Sequence, residues 1–156
     1  MTHKRIDKRA LLFFLVYTFL LGALGGLLGG TMDLSALNQP PLTPPAWVFP
    51  VVWTILYGMM AIAAYLVYNS HDIDRGAPLR LYLLQVIVNA LWPLLFFRLE
   101  WRLLAFVWIL ILIALVILMM TGFKPISPTA FWLTVPYLLW LFFAAYLNFS
   151  FYLLNR

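Results

Sequence analysis

Residues 40 to 53 read Pro-Pro-Leu-Thr-Pro-Pro-Ala-Trp-Val-Phe-Pro-Val-Val-Trp, and they lead into one of five long apolar runs. Proline removes a backbone donor and pushes the residue before it toward extended geometry, so Pro40, Pro41, Pro44 and Pro45 cannot lie inside a helix. The segment is a stiff, mostly extended loop. It enters a membrane span led by Trp47, with Pro50 near the first turn, where a missing N–H costs little.

Working outward, the chain of 156 residues is 65% hydrophobic and only 10% charged, which excludes an ordinary soluble fold. A hydrocarbon core of about 30 Å takes roughly 20 apolar residues per helical span. Five runs meet that length, about 10–30, 46–68, 79–97, 103–122 and 127–153, with a Pro-rich capping loop at 31–46. The expected fold is an all-α, polytopic five-helix membrane bundle forming a single domain over 1–156. The short connections at 98–102 and 122–128 require neighbouring antiparallel helices. No internal repeat supports an inverted-repeat transporter.

The net charge of +5 raises the question of nucleic acid, but the basic residues are scattered over helix ends rather than gathered in a stripe, which argues against it. They report topology instead. Lys4, Arg5, Lys8, Arg9, Arg75, Arg80 and Lys124 fall on one side, and Arg98, Arg102 and Arg156 on the other. Seven against three predicts a cytoplasmic N-terminus and an outward-facing Pro-rich loop. A basic N-terminus before an apolar run resembles a secretory signal. That run is long for one and no cleavage site of the A-x-A type follows, so a retained first helix is expected. With no cysteine, disulfide and thiol chemistry are excluded.

The first run carries Gly22, Gly26 and Gly30 at intervals of four, with Gly25 and Gly29 beside them. Such a small-residue face permits close helix contact, either within the chain or across a homodimer seam. In the third span Gln85, Asn89, Trp92 and Phe96 share one helical face. The fifth repeats the pattern with Tyr137, Trp140, Ala144, Asn148 and Phe151, and the second has Trp53, Tyr57, Ala61 and Tyr65 at steps of four. Amides in hydrocarbon need partners, so one reading is interhelical hydrogen bonding. The other is a ligand-facing stripe, in which the small Ala144 leaves a recess for a flat molecule.

At 1.5 Å rise per residue, Trp53 lies about 10 Å, Asn89 about 12 Å and Asn148 about 8 Å from the outer helix ends, which converges them beneath the Pro-rich loop. Trp140, at about 20 Å, is placed as a floor. Trp47, Trp101 and Trp132 also suit an interfacial aromatic belt.

Three stretches resemble the TspO/MBR family, the tryptophan-rich sensory proteins related to the translocator protein or peripheral-type benzodiazepine receptor. They are Pro44-Pro45-Ala46-Trp47-Val48-Phe49-Pro50-Val51-Val52-Trp53-Thr54-Ile55-Leu56-Tyr57, then Asn89-Ala90-Leu91-Trp92 with Phe96-Phe97, then Val135-Pro136-Tyr137-Leu138-Leu139-Trp140 with Leu147-Asn148. The resemblance implies a five-helix bundle, usually dimeric, with a pocket beneath the first loop that binds porphyrins and haem. In animal relatives the ligands include cholesterol and synthetic drugs, and some bacterial members degrade protoporphyrin. By motif position the pocket tryptophans correspond to Trp53 and Trp140, the third-helix amide to Asn89 and the small fifth-helix residue to Ala144. The chain departs from the family pattern at Asp33, Leu34 and Leu42, where many members carry aromatic residues.

The expected ligand-binding set is therefore Pro44, Pro45, Trp47, Trp53, Tyr57, Gln85, Asn89, Trp92, Tyr137, Trp140, Ala144 and Asn148, with Arg98 or Arg102 at the rim for propionates. No metal site or covalent cofactor is expected; porphyrin or haem is the ligand. Both histidines, His3 and His71, lie outside the spans, and no Asp, Glu, Lys or Cys lies well inside one. General acid–base catalysis thus has almost no candidates, and an axial haem ligand is missing from the spans. Pumping is disfavoured for the same reason. Three functions stay open: a tetrapyrrole-binding sensor or regulator, a porphyrin-degrading enzyme using light and oxygen with Trp53 and Trp140 steering an oxidised intermediate, and a passive transporter of porphyrin or sterol-like ligands. The expected setting is the bacterial cell membrane, with lipid and a second copy of the chain as partners.

Overall fold

In a computed structural model, which describes residues 6–30 and 34–156, five helices run up and down in sequence. They are α1 (Lys8–Gly29), α2 (Val48–Tyr68), α3 (Gly76–Pro93), α4 (Arg102–Ile126) and α5 (Pro128–Leu154). All five are long and apolar enough to cross a membrane, α3 by continuing into a π-helical turn at Leu94–Arg98. His3, Lys4, Arg5 and Asp33 lie outside the described residues.

Local chemistry sets the helix ends. Asp7 caps α1, its carboxylate accepting from the N–H groups of Arg9 and Ala10. Ser127 caps α5 by accepting from the Ala130 N–H, and Pro128 occupies the first helical position, where its missing donor is harmless. The link between α4 and α5 is shorter than expected. Instead of a loop over 122–128, α4 continues to Ile126 with Pro125 in its last turn, and Ser127 alone, in extended conformation, reverses the chain. At the far end of α3, Pro93 offers no N–H to the preceding turn, and the ladder reopens as i→i−5 bonding with the Leu99 N–H on the Leu94 carbonyl.

Around the bundle the helices form a closed ring in the order α1, α2, α5, α4, α3. The core at the end opposite the loop is tightly filled, with Met60, Ala63, Ala64, Val67, Tyr82, Leu112, Val116, Met119 and Phe123 all buried. Two hydrogen bonds tie α1 to α3 there: Thr18 and Tyr82 share one, and the Tyr17 hydroxyl donates to the Leu83 carbonyl at 2.8 Å, while the buried Tyr65 hydroxyl has no partner. Trp108 Nε1 of α4 donates to the Val88 carbonyl of α3 at 2.8 Å. At the loop end the helices diverge.

The Pro-rich segment is anchored rather than free. The Pro40 carbonyl accepts from the Thr43 N–H across a tight turn, with Leu42 in the left-handed region (φ 68°), a type II geometry in which glycine is the usual third residue. Tyr146 on α5 donates its hydroxyl to the Pro41 carbonyl at 2.9 Å. Asn38 and Asn155 exchange hydrogen bonds. At about 40 Å, α5 exceeds the hydrocarbon thickness, so its last turns project into the loop layer and serve as the loop's post.

Candidate functional site

Where the helices diverge beneath the loop, they enclose a cavity of about 650 Å³. Its size lies within the roughly 300–1,000 Å³ range of small-molecule sites. An enclosed dry void of this size would cost on the order of 15 kcal/mol at about 24 cal/mol per Å³, comparable with an entire domain's stability. A cavity this large is therefore a candidate binding site rather than a packing defect.

Its walls are aromatic. Trp53 of α2 and Trp140 of α5 meet edge to face with centroids 6.5 Å apart and planes at 89°. Phe49 packs edge-on to Trp140 at 6.1 Å. On the α3 side Trp92 stacks on Phe96 at 5.2 Å, and Phe97 meets both rings edge-on. The π-helical turn after Pro93 brings both Phe96 and Phe97 to the cavity, which a regular helix, with residues one apart about 100° around the axis, separates.

Polar groups are few, and the side-chain amides among them are already engaged. Trp92 Nε1 donates to Asn148 Oδ1 at 3.1 Å, and Asn148 Nδ2 donates to the Ala144 carbonyl of its own helix at 2.8 Å. At the base, the Tyr57 hydroxyl donates to Asn89 Oδ1 (3.2 Å) and Asn89 Nδ2 to the Tyr137 hydroxyl (2.8 Å). Tyr137 in turn donates to Gln85 Oε1 at 2.8 Å, and Gln85 Nε2 reaches Met60 Sδ at 3.8 Å. This chain links α2, α3 and α5 and satisfies two amides and two phenols in the bundle interior. No charged side chain is among the described residues that line the cavity.

Of the sequence-predicted residues, Trp53, Tyr57, Asn89, Trp92, Trp140, Ala144 and Asn148 line the cavity together. Gln85 and Tyr137 do not. Both are completely buried and sit one hydrogen-bond layer beneath the base, since Gln85 is a turn deeper along α3 than Asn89. Pro44, Pro45 and Trp47 also lie off the lining, and Trp47 is 67% exposed. The bonds to Asn155 and Tyr146 draw the middle of the loop toward the end of α5, and among the described loop residues only Leu34 and Ala46 reach the cavity. Leu42 stands exposed on its turn.

Two further expectations change. Trp140 is not the floor: it is level with Phe49 in the first turn of α2, because α5 overshoots α2 and counting from its end overstates depth. Tyr57 and Asn89 take the floor's place. Neither Arg98 nor Arg102 lines the cavity, and Arg102 pairs instead with Glu100 at 3.3 Å.

Sequence reasoning missed Phe19, Ala23, Phe49, Thr54 and Phe97. Phe49 is readable as the i−4 neighbour of Trp53, on the same face. The α1 residues carried a signal of another kind in the glycine spacing. Gly25 and Gly29 abut Ala90 and Pro93 of α3, where an added Cβ would lie 2.6 Å from the Ala90 carbonyl oxygen and 2.8 Å from Pro93 Cβ. Gly22, Gly26 and Gly30 line the cavity instead. One stripe therefore serves both helix contact and cavity wall.

The TspO/MBR family sequence profile matches residues 6–153, nearly the whole chain. The chain belongs to the TspO/MBR family. It is 37% identical over 125 residues to the tryptophan-rich protein TspO of Chlorobaculum tepidum, covering 78% of each chain. It is 34% identical over 135 residues to the translocator protein of Ovis aries, covering 80% of each. A tryptophan-rich sensory protein of Cereibacter sphaeroides matches at 36% over 119 residues, 76% of this chain and 74% of that one. Family membership and the five apolar helices together establish an integral membrane protein.

Proposed function

We propose that this TspO/MBR protein binds porphyrin- or haem-type tetrapyrroles in the cavity beneath the loop and acts as a sensor or regulator of tetrapyrrole metabolism or stress. The observation that carries the reading is the lining: flat apolar walls from Trp53, Trp140, Trp92 and Phe96, with Thr54, Tyr57, Asn89 and Asn148 as polar side chains among them and no charge among the described residues. A planar macrocycle gains dispersion and burial against such walls, and its carboxylates stay outside the apolar part. The described lining residues include no histidine, so in this reading recognition acts through the macrocycle and metal-free porphyrin binds as haem does. Relatives named sensory proteins support a signalling role over a housekeeping one.

In this reading the protein is a homodimer in the bacterial cell membrane with its N-terminus in the cytoplasm. The charge asymmetry of the helix ends supports that orientation. The test is titration of purified protein with protoporphyrin in darkness, following tryptophan quenching and porphyrin absorbance. Saturable binding that weakens in Trp53→Ala and Trp140→Ala is expected; absence of saturation sinks the proposal.

A second reading, light- and oxygen-dependent porphyrin degradation, draws on the oxidisable cluster of Trp53 with Trp140, Tyr57 (5.4 Å) and Tyr137 (6.2 Å). It requires loss of porphyrin absorbance under illumination at catalytic protein levels, and it fails if replacing both tryptophans with Phe leaves product formation unchanged. Passive transport, the third, requires porphyrin flux across sealed vesicles.

A further inference from the structure

The walls of the cavity are not equally complete. On the α3 and α5 sides they are continuous, with Trp92, Pro93, Phe96 and Phe97 meeting Trp140, Leu147, Asn148 and Phe151. The α1 side differs because α1 leaves α2 as it rises. At Gly22 the two helices touch, an added Cβ falling 2.3 Å from the Tyr57 ring, and Phe19 packs edge-on to Tyr57 at 6.1 Å. Above that point α1 follows α3, with Gly25 against Ala90 and Gly29 against Pro93. Gly26 and Gly30, turned the other way, have nothing within 4 Å of where a Cβ would stand.

The facing edge of α2 is equally bare. Ala46, Pro50 and Thr54 line the cavity and are themselves exposed, as are Gly26 and Gly30 on the α1 edge. A cavity-lining residue that is also exposed marks an opening. The opening is a V between α1 and α2, with Tyr57 at its apex and a height of about 10 Å from Gly22 to the end of α1 at Gly29. It lies on the flank of two membrane-spanning helices, at the depth of hydrocarbon. Over the top, by contrast, the loop is tied to α5 at Asn38, Pro41 and Asn155.

We infer that the cavity's mouth is lateral: ligand reaches the site from within the bilayer, between Gly26 and Thr54, and not through the loop from water. The inference deepens the proposed binding function and rests on it. It specifies the ligand class as a planar lipophile already partitioned into the membrane, whose ring enters the cavity while any carboxylates stay at the headgroup level. That class agrees with a lining that carries no charge among the described residues, since an ionised group drawn from water meets no counter-charge on them. Glycine at 26 is then the sill of the opening, small because anything larger narrows it.

The test compares Gly26→Leu and Thr54→Leu, one on each lip, with the wild type in nanodiscs holding one copy each, using protoporphyrin and stopped-flow tryptophan quenching. A Cβ added at position 26 meets no neighbour within 4 Å, and the Thr54 variant stands alone if the first fails to fold by circular dichroism. Blocking a passage slows both directions, so association and dissociation rates fall together by about tenfold, a barrier rise of about 1.4 kcal/mol. A damaged site instead speeds dissociation, so a joint fall of both rates separates a blocked passage from a lost contact. Asn155→Ala, which loosens the loop, leaves both rates unchanged.

Unchanged rates in both leucine variants, or faster rates in Asn155→Ala, overturn the lateral route. Lack of saturable quenching in the wild type is a different failure and removes the binding function itself.

Discussion

Asn38 in the loop and Asn155 at the end of α5 hold each other reciprocally: the Asn38 N–H donates to Asn155 Oδ1 at 2.9 Å, and Asn155 Nδ2 donates to the Asn38 carbonyl at 3.0 Å. Asn38 Nδ2 adds a third bond, to the Leu154 carbonyl at 3.3 Å. An asparagine mimics a peptide group, so the pair joins a loop to a helix end as two strands would be joined. Both residues are at the surface, where each bond contributes about 0.5–1.5 kcal/mol. Asn155→Ala is therefore expected to free the loop without unfolding the bundle. Limited proteolysis between residues 38 and 47 accelerates and hydrogen exchange at Leu37 and Asn38 rises, while the helical circular dichroism stays unchanged.

The floor chain behaves differently because it is buried. Tyr137→Phe removes the donor to Gln85 and the acceptor for Asn89, leaving polar atoms unpaired in an apolar interior at about 1–3 kcal/mol. Adding Gln85→Leu removes one of those orphans. The double variant is expected to be more stable than Tyr137→Phe alone, a coupling of about 0.5–3 kcal/mol measurable by denaturant titration in mixed micelles. Equal stabilities of single and double variants would show that Gln85 is satisfied without Tyr137.

Five spans, their alternation and the site's position near the loop were legible in the sequence because each depends on local composition: apolar length, prolines, and polar residues at steps of three and four. The stripes of Trp53 and Tyr57, Asn89 and Trp92, and Trp140, Ala144 and Asn148 do meet around one cavity. What was not legible depends on how far each helix slides along its neighbours. The overshoot of α5 lifts Trp140 from floor to wall and pulls Pro44, Pro45 and Trp47 off the lining. The π-turn at Leu94–Arg98 redirects Phe97, and Pro93 was its only sequence signal. Helix tilt divides the glycine stripe between contact and cavity, and periodicity carries no information about tilt.

Ala144 tests the site's shape apart from its polar groups. It lines the main cavity and also a small adjoining pocket with Trp53, Asn89 and Leu141. Ala144→Phe places a ring where a flat ligand lies, and protoporphyrin affinity is expected to fall at least about tenfold, or 1.4 kcal/mol. Because the new ring enters open space, thermal stability holds or rises, which separates occlusion from unfolding. Undiminished affinity in a folded Ala144→Phe variant places the ligand elsewhere.

Neighbouring glycines should respond with opposite signs. Gly25→Ala sets a methyl 2.6 Å from the Ala90 carbonyl oxygen and 3.0 Å from its Cα, backbone atoms that cannot turn aside. Helix α1 must then lift from α3, and overpacking of this kind costs about 1–3 kcal/mol. Gly26→Ala meets nothing and lies within the helix, so it gains up to about 1 kcal/mol from propensity. Thermal unfolding of the two variants in identical detergent decides the matter: a lower midpoint for Gly25→Ala and an equal or higher one for Gly26→Ala are expected. Equal losses would mean that α1 packs on both faces, and the opening between α1 and α2 would close with them.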